Sequence, residues 1–225
     1  MFNALKNRSC ISIMLTLLAT NSSLYLDAAA EQQEQSIVFL GDSLTAGFEL
    51  PPEQAYPALI QQEIAKLGLK FRVVNAGVSG DTTADALARL AWVMKNGADI
   101  LVIALGANDG LRGLPPSLAA GNLRAIIDQA RKTNPQIRVV LAGILVPTNM
   151  GPEYNNEFAR IFPEIAAEKK AILVPFLLEG VAARPELNLP DGLHPNQEGH
   201  KIIAQTVWKK LAPLLDDAAK PSKIR

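Results

Sequence analysis

Ile37-Val38-Phe39-Leu40 runs without a break into Gly41-Asp42-Ser43-Leu44-Thr45-Ala46-Gly47, and the fold turns on how this stretch is read. A short apolar run with β-branched residues, stopped by glycine, reads as a buried strand entering a tight turn. Ser43 then stands where the strand ends and a helix begins. A hydroxyl at such a place is either a helix cap or a nucleophile, and the groups that converge on it decide which.

Outward from this stretch, the same punctuation recurs. The spacing predicts a helix over 53–67, with Tyr56, Ile60, Ile64 and Leu67 as its apolar stripe and Gly68 as its stop. A second strand, 71–74, leads into Asn75-Ala76-Gly77-Val78-Ser79-Gly80-Asp81. Ala84, Leu87, Ala88 and Ala91 then mark one helical face. The third strand, 100–105, is apolar throughout, which predicts a central strand covered on both faces. It ends in Gly106-Ala107-Asn108-Asp109-Gly110.

A helix near 117–133 and a fourth strand, 138–144, follow, and a polar stretch occupies 147–156. Helical spacing returns at Phe158, Ile161, Phe162 and Ile165, with Pro163 expected to kink or split the helix. A fifth strand, 171–174, precedes an irregular connection to Asp191-Gly192-Leu193-His194-Pro195. The last helix, 197–212, turns Ile203, Val207 and Leu211 inward, and the charged tail after Leu215 is expected to fray. Alternating strands and helices of this kind make an α/β fold, a parallel sheet with helices on both faces. No repeat or linker divides it.

Composition narrows the function. Twenty-two basic and 22 acidic residues cancel, so no field draws in nucleic acid or an anionic membrane. The first thirty residues differ from the rest. Lys6 and Arg8 precede a short apolar segment, 11–19, and Asp27-Ala28-Ala29-Ala30 has the small residues of a signal-peptidase site. The apolar segment falls short of the about 20 residues of a permanent membrane anchor. The reading is therefore a signal peptide over 1–30, export to the periplasm or medium, and one domain over 31–225. Cleavage there leaves 20 basic and 21 acidic residues and removes Cys10, the only cysteine. Thiol nucleophiles, thiolate metal sites and disulfides are then excluded from the mature chain.

In an open parallel sheet, ligands bind beyond the carboxyl ends of the strands. Ser43 follows strand one, Gly80 strand two and Asn108 strand three, while Asp191 and His194 follow strand five. The set reads as acyl transfer. Ser43 needs a base, and of the two histidines His194 has a carboxylate three residues upstream to orient it. His200 lies inside the last helix without such a partner. The Ser43 amide, the Gly80 amide at a helix start and the Asn108 side chain can serve as oxyanion donors. Taken singly, each has a plainer role: Ser43 a helix cap, Gly80 and Gly106 turn glycines, Asn108 a loop asparagine, Asp191 and His194 a surface pair. Asp42 and Asp109 read as structural, holding their turns. The spacing of His194 and His200 fits no metal motif, and no cofactor is called for.

Gly41-Asp42-Ser43-Leu44, Gly80, Gly106-Ala107-Asn108-Asp109 and Asp191-Gly192-Leu193-His194-Pro195 resemble, in order, the four blocks of the SGNH (GDSL) hydrolases. The likeness spans about 36–213. The stretches from Gly106 to Leu114 and from Pro147 to Gly151 resemble a narrower branch, the bacterial periplasmic thioesterase I/lysophospholipase enzymes and related arylesterases. The resemblance implies a three-layer, flavodoxin-like α/β/α fold with a five-stranded parallel sheet in the order 2-1-3-4-5. It implies Ser43 as nucleophile, His194 as base, Asp191 as its orienting partner, and Ser43, Gly80 and Asn108 around the oxyanion. A small-molecule acyl ester or thioester is the expected substrate, and Met150, Tyr154 and Phe158 are expected to line its acyl groove. A carbohydrate deacetylase or acyltransferase on the same scaffold is the alternative enzyme. A flavodoxin-like binding protein, with loop 41–47 cradling a phosphate, is the alternative outside catalysis, and it gives Asp191 and His194 nothing to do. The Gly-x-Ser-x-Gly elbow of the α/β-hydrolases is absent from the serine turn.

Overall fold

A computed structural model describes residues 34–219; the expected signal peptide, with Cys10, lies outside the described residues. The chain begins with β1 (Gln35–Gly41), a one-turn helix α1 (Ser43–Ala46), α2 (Tyr56–Lys66) and β2 (Phe71–Gly77). It continues through α3 (Thr83–Val93), β3 (Ile100–Ala104), α4 (Ala107–Leu111), α5 (Pro116–Thr133) and β4 (Arg138–Ala142). The last elements are α6 (Pro152–Glu168), β5 (Ile172–Val174) and α7 (Gln197–Ala219).

All strand pairs are parallel, in the order β2-β1-β3-β4-β5. The first crossover goes to one side of β1 and the next returns to the other, so the switch point lies between β1 and β3. Ile37, Phe39, Leu40 and the whole run Ile100–Ile103 are buried to the last atom. Burying each such side chain contributes about 1.5–3 kcal/mol, which is why these two strands form the centre. The register sets Gly41 beside Gly77 on one side and Ala104 on the other. Three loops thus leave the sheet from the same level, and Ser43, Gly80 and Asn108 are the residues just past it.

Several elements differ from their sequence-based expectation, each for a local reason. β2 continues through Asn75, Ala76 and Gly77 because these residues pair with β1 to its last residue. α3 buries Thr83, Ala86 and Leu90 and leaves Ala84, Ala88 and Ala91 exposed. Alanines sit on both faces of that helix, so its apolar periodicity is weak, and polar bonds at Thr82 and Thr83 set its rotation instead. Leu67, expected inside, is the C-cap of α2 and is 61% exposed.

The polar stretch after 147 holds a 3-10 turn, Thr148–Met150, and then α6 starts at Pro152, a favoured residue for a first helical turn. Pro163 does not split α6, which runs unbroken from Pro152 to Glu168. It lies on the exposed face, where water can take up the freed carbonyl, while Phe158, Ile161, Phe162 and Ile165 anchor the other face in the core. The last helix likewise runs past Pro213 to Ala219; the rest of the tail expected to fray lies outside the described residues.

Candidate active site

The serine turn is built from its amino-terminal side. Asp42, not Ser43, caps α1: its carboxylate accepts the Leu44 amide at 3.0 Å. Gly41 is required before it, since a Cβ there falls 2.0 Å from Thr45 Oγ1. Ser43 is therefore the first helical residue, its hydroxyl left for other partners.

Its partner is His194. Ser43 Oγ lies 2.9 Å from His194 Nε2, across 151 residues of sequence. On the other side of the ring, Nδ1 lies 2.6 Å from Asp191 Oδ2. The remaining Asp191 oxygen accepts the Leu193 and His194 amides at 2.9 and 3.0 Å. These bonds, the His194 backbone amide foremost, pull the Asp191 pKa down to about 2. An ionised acceptor requires the proton on Nδ1, which leaves Nε2 to accept from the serine hydroxyl.

The loop that carries this pair is braced by asparagines. Asn188 donates to the Val181 and Arg184 carbonyls, and Asn196 caps α7 through the Glu198 and Gly199 amides. Phe48 lies over the imidazole of His194, ring centres 4.3 Å apart. A phosphate-cradling role for loop 41–47 leaves this whole constellation unexplained.

The donor side is assembled from two further loops. Gly80 has a φ of +87°, a backbone that favours glycine, and stands in a turn ahead of the Thr82 cap of α3 rather than in the helix itself. The Asn108 side-chain nitrogen donates one hydrogen to the Asp81 carbonyl at 2.9 Å, and its second hydrogen is left over. Among the described residues, neither the Ser43 nor the Gly80 amide is taken up by another hydrogen bond.

Asp42 and Asp109 are structural, but in different ways. Asp109 reaches beyond its own turn and takes both the amide and the hydroxyl of Thr83, at 2.8 and 2.6 Å, locking α4 to the start of α3. Asp42 is wholly buried, with one carboxylate oxygen lacking a partner. Burial pushes its pKa up to about 7. His200 is a buried structural residue: its Nδ1 accepts the Tyr56 amide at 3.1 Å, and the Tyr56 hydroxyl meets Thr45 Oγ1 at 2.9 Å behind the serine turn.

Of the expected groove residues, Phe158 is sealed in the core, packed against Phe162 and Tyr154 beneath Gly106; it cannot line a surface. Tyr154 donates its hydroxyl to the Leu114 carbonyl at 2.7 Å, and Met150 approaches Gly113. Both brace the segment that follows α4, the helix that carries Asn108. Phe48, Arg89 and Arg112 belong to the site's surroundings and went unmarked in the sequence, because nothing local distinguishes them from ordinary surface or packing residues.

The chain is similar to known proteins in sequence and in fold. Residues 39–202 match the GDSL-like Lipase/Acylhydrolase family. The chain is 39% identical over 185 residues to an arylesterase of Vibrio mimicus, covering 82% of this chain and 92% of that one. It is 38% identical over 182 residues to the thioesterase 1/protease 1/lysophospholipase L1 of Escherichia coli K12, covering 80% and 85%. The crystal structure of TesA superposes with a TM-score of 0.76 at 40% identity, over 80% of this chain and 99% of that one. With a family match over most of its length, the chain belongs to the GDSL-like lipase/acylhydrolases.

Proposed function

We propose that the protein is a serine esterase that cleaves carboxylic esters and thioesters of medium or long acyl chains through Ser43, His194 and Asp191. One observation carries this reading: the unbroken line from Ser43 Oγ to Nε2 to Nδ1 to Asp191, with steps of 2.9 and 2.6 Å. His194 takes the serine proton as Oγ attacks the acyl carbonyl, and Asp191 holds the imidazolium that forms. The amides of Ser43 and Gly80 and the free hydrogen of Asn108 take the oxyanion, each good donor being worth about 10²–10³ in turnover. His194 then returns its proton to the leaving alkoxide or thiolate. Water, deprotonated by the same nitrogen, cleaves the acyl-enzyme and restores Ser43.

The names of the relatives, arylesterase and thioesterase/lysophospholipase, support acyl esters and thioesters as the substrate class. Met150 and Tyr154 stand beside Gly113 and Leu114, just past the helix that carries Asn108, and are the groove residues retained in this reading. Export, with removal of residues 1–30 to leave one domain from 31, is part of the same proposal; no helix among the described residues is long and apolar enough to cross a membrane.

The test is Ser43→Ala assayed with p-nitrophenyl esters of several chain lengths on folded protein. Turnover should fall by about 10⁵–10⁶. Activity retained within tenfold removes the mechanism, and a preference for acetylated sugars over all acyl esters moves the protein to the deacetylase reading.

A further inference from the structure

The turn that holds Gly80 is poorly suited, by packing, to the task assigned to it above. Val78, Ser79 and Gly80 are exposed, and the space where a Gly80 side chain would begin has no atom within 4 Å. An oxyanion donor must nonetheless sit within a few tenths of an ångström of its place, since about 1 Å of displacement costs on the order of 10²-fold in rate. Contacts between apolar side chains cannot supply that precision here. Polar ties must.

Those ties converge on one residue of α3. Arg89 Nε donates to the Asp81 carboxylate at 2.6 Å, while its Nη2 donates to the Ala76 carbonyl at 2.8 Å and the Gly41 carbonyl at 3.1 Å. The pair is largely withdrawn from solvent, with side chains 21% and 13% exposed. Gly41 is the last residue of β1, two before Ser43, and its carbonyl also accepts the Val78 amide at 3.0 Å. Ala76 stands next to the last residue of β2, from which the Gly80 turn departs. The Asp81 carbonyl meets Asn108 at 2.9 Å, so this one residue is held through its carboxylate by Arg89 and through its backbone by another oxyanion donor. Arg112 adds a bond to the Gly80 carbonyl at 2.8 Å, from an exposed position.

We infer that Arg89 is a positioning residue of the oxyanion pocket: its planar guanidinium bridges the end of β1, the end of β2 and Asp81, and thereby sets the distance between the Gly80 amide and Ser43. The inference rests on the serine-esterase reading above. A lysine cannot replace the arginine here, because a single ammonium lacks the rigid fork that spans three acceptors in one plane.

The experiment compares wild type with Arg89→Met, which keeps the apolar stem, and Arg89→Lys, which keeps the charge. Each is tested for its thermal midpoint, for kcat and KM with p-nitrophenyl butyrate, and for amide hydrogen exchange at Asp81, whose amide closes the Gly80 turn on the Val78 carbonyl at 3.1 Å. For both variants kcat should fall about 10–100-fold with KM within about threefold, and exchange at Asp81 should quicken as the turn loosens. In combination with Asn108→Ala, the Arg89→Met loss should shrink to under about threefold, since both act on one pocket.

A lowered thermal midpoint with unchanged kcat and unchanged Asp81 exchange overturns the inference in favour of a purely structural ion pair. Full multiplication of the two losses overturns it as well. Failure of the esterase reading is separate, because it shows as activity surviving Ser43→Ala. In that event Asp81 exchange in Arg89→Lys alone decides whether Arg89 fixes the turn. If Arg89→Met does not fold, the Lys variant carries the same comparison.

Discussion

The two halves of the site are held in place by different means. The nucleophile's half is packed: Leu44 and Thr45 are buried, and the column from Thr45 through Tyr56 to His200 fills the space behind the turn. The other half is strung on exposed chain, with the Gly80 turn on one side and Asp191-Gly192-Leu193-His194 on the other. There hydrogen bonds from Arg89, Asn188 and Asn196 take the place of packing. Ser43 itself apart, substitutions in the first half should therefore be felt mainly as stability, and those in the second mainly as rate.

The sharpest way to break this contrast is at the imidazole. His194→Ala should lower kcat by about 10⁵–10⁶, and Asp191→Asn by about 10⁴, because the amide leaves the ring in the wrong tautomer. Both should leave the thermal midpoint within about 4 °C of wild type, since neither side chain is buried in the core. Stopped assays beside a melting curve check both halves of the statement. A large fall in midpoint would erase the contrast.

The packed half carries the pH dependence of stability. Burial holds His200 down to about 4, against 6.5 for a free imidazole. Between those values the unfolded chain takes up a proton that the folded chain refuses, so stability falls as pH drops from 6.5 to 4, by about 3 kcal/mol at most. Asp42 works the other way. Folded, it keeps its proton up to about 7, whereas unfolded it loses it near 3.8, so its contribution fades as pH rises through the same window. Asp42→Asn should therefore make urea-unfolding stability rise more steeply between pH 4 and 7 than in wild type. Equal slopes would show that Asp42 is ionised throughout.

Gly80→Ala tests the exposed half with a smaller change. The site has room for a methyl group but a φ of +87°, so the turn must either hold a backbone strained by about 1–2 kcal/mol or shift. The expected result is a 10–100-fold loss of kcat with a fall in midpoint of about 2–8 °C. Smallest of all is Phe48→Leu. Removing the ring over His194 should lower kcat/KM by about 3–10-fold, the worth of one aromatic stack, with no change in chain-length preference.

What the sequence revealed follows the same division. Ser43, Asp191 and His194 were legible because each sits in a glycine-marked turn just past a strand or loop end, where topology alone gathers side chains. The parallel order of strands was legible from alternation and from the length of the apolar runs. The ties that hold the exposed half were not. Arg89 meets Gly41 across 48 residues and Asp109 meets Thr83 across 26, and neither pairing leaves a mark on local periodicity. The rotation of α3 was misread for a related reason: its buried Thr83 is polar, and its alanines carry almost no directional signal. Phe158 reads as a groove residue because the stretch 147–158 leaves the same sheet edge as the site, yet it belongs to the stripe of α6 that faces the core.

The central claim is that one hydroxyl, Ser43 Oγ, becomes covalently acylated during turnover. Mass spectrometry of protein quenched in acid during hydrolysis of a slow acyl ester tests it without reference to rates. The account requires the mass of one acyl group on the peptide that contains Ser43, lost on standing in buffer and absent in Ser43→Ala. An adduct on any other peptide, or ester hydrolysis with no adduct under conditions of a kinetic burst, would contradict it.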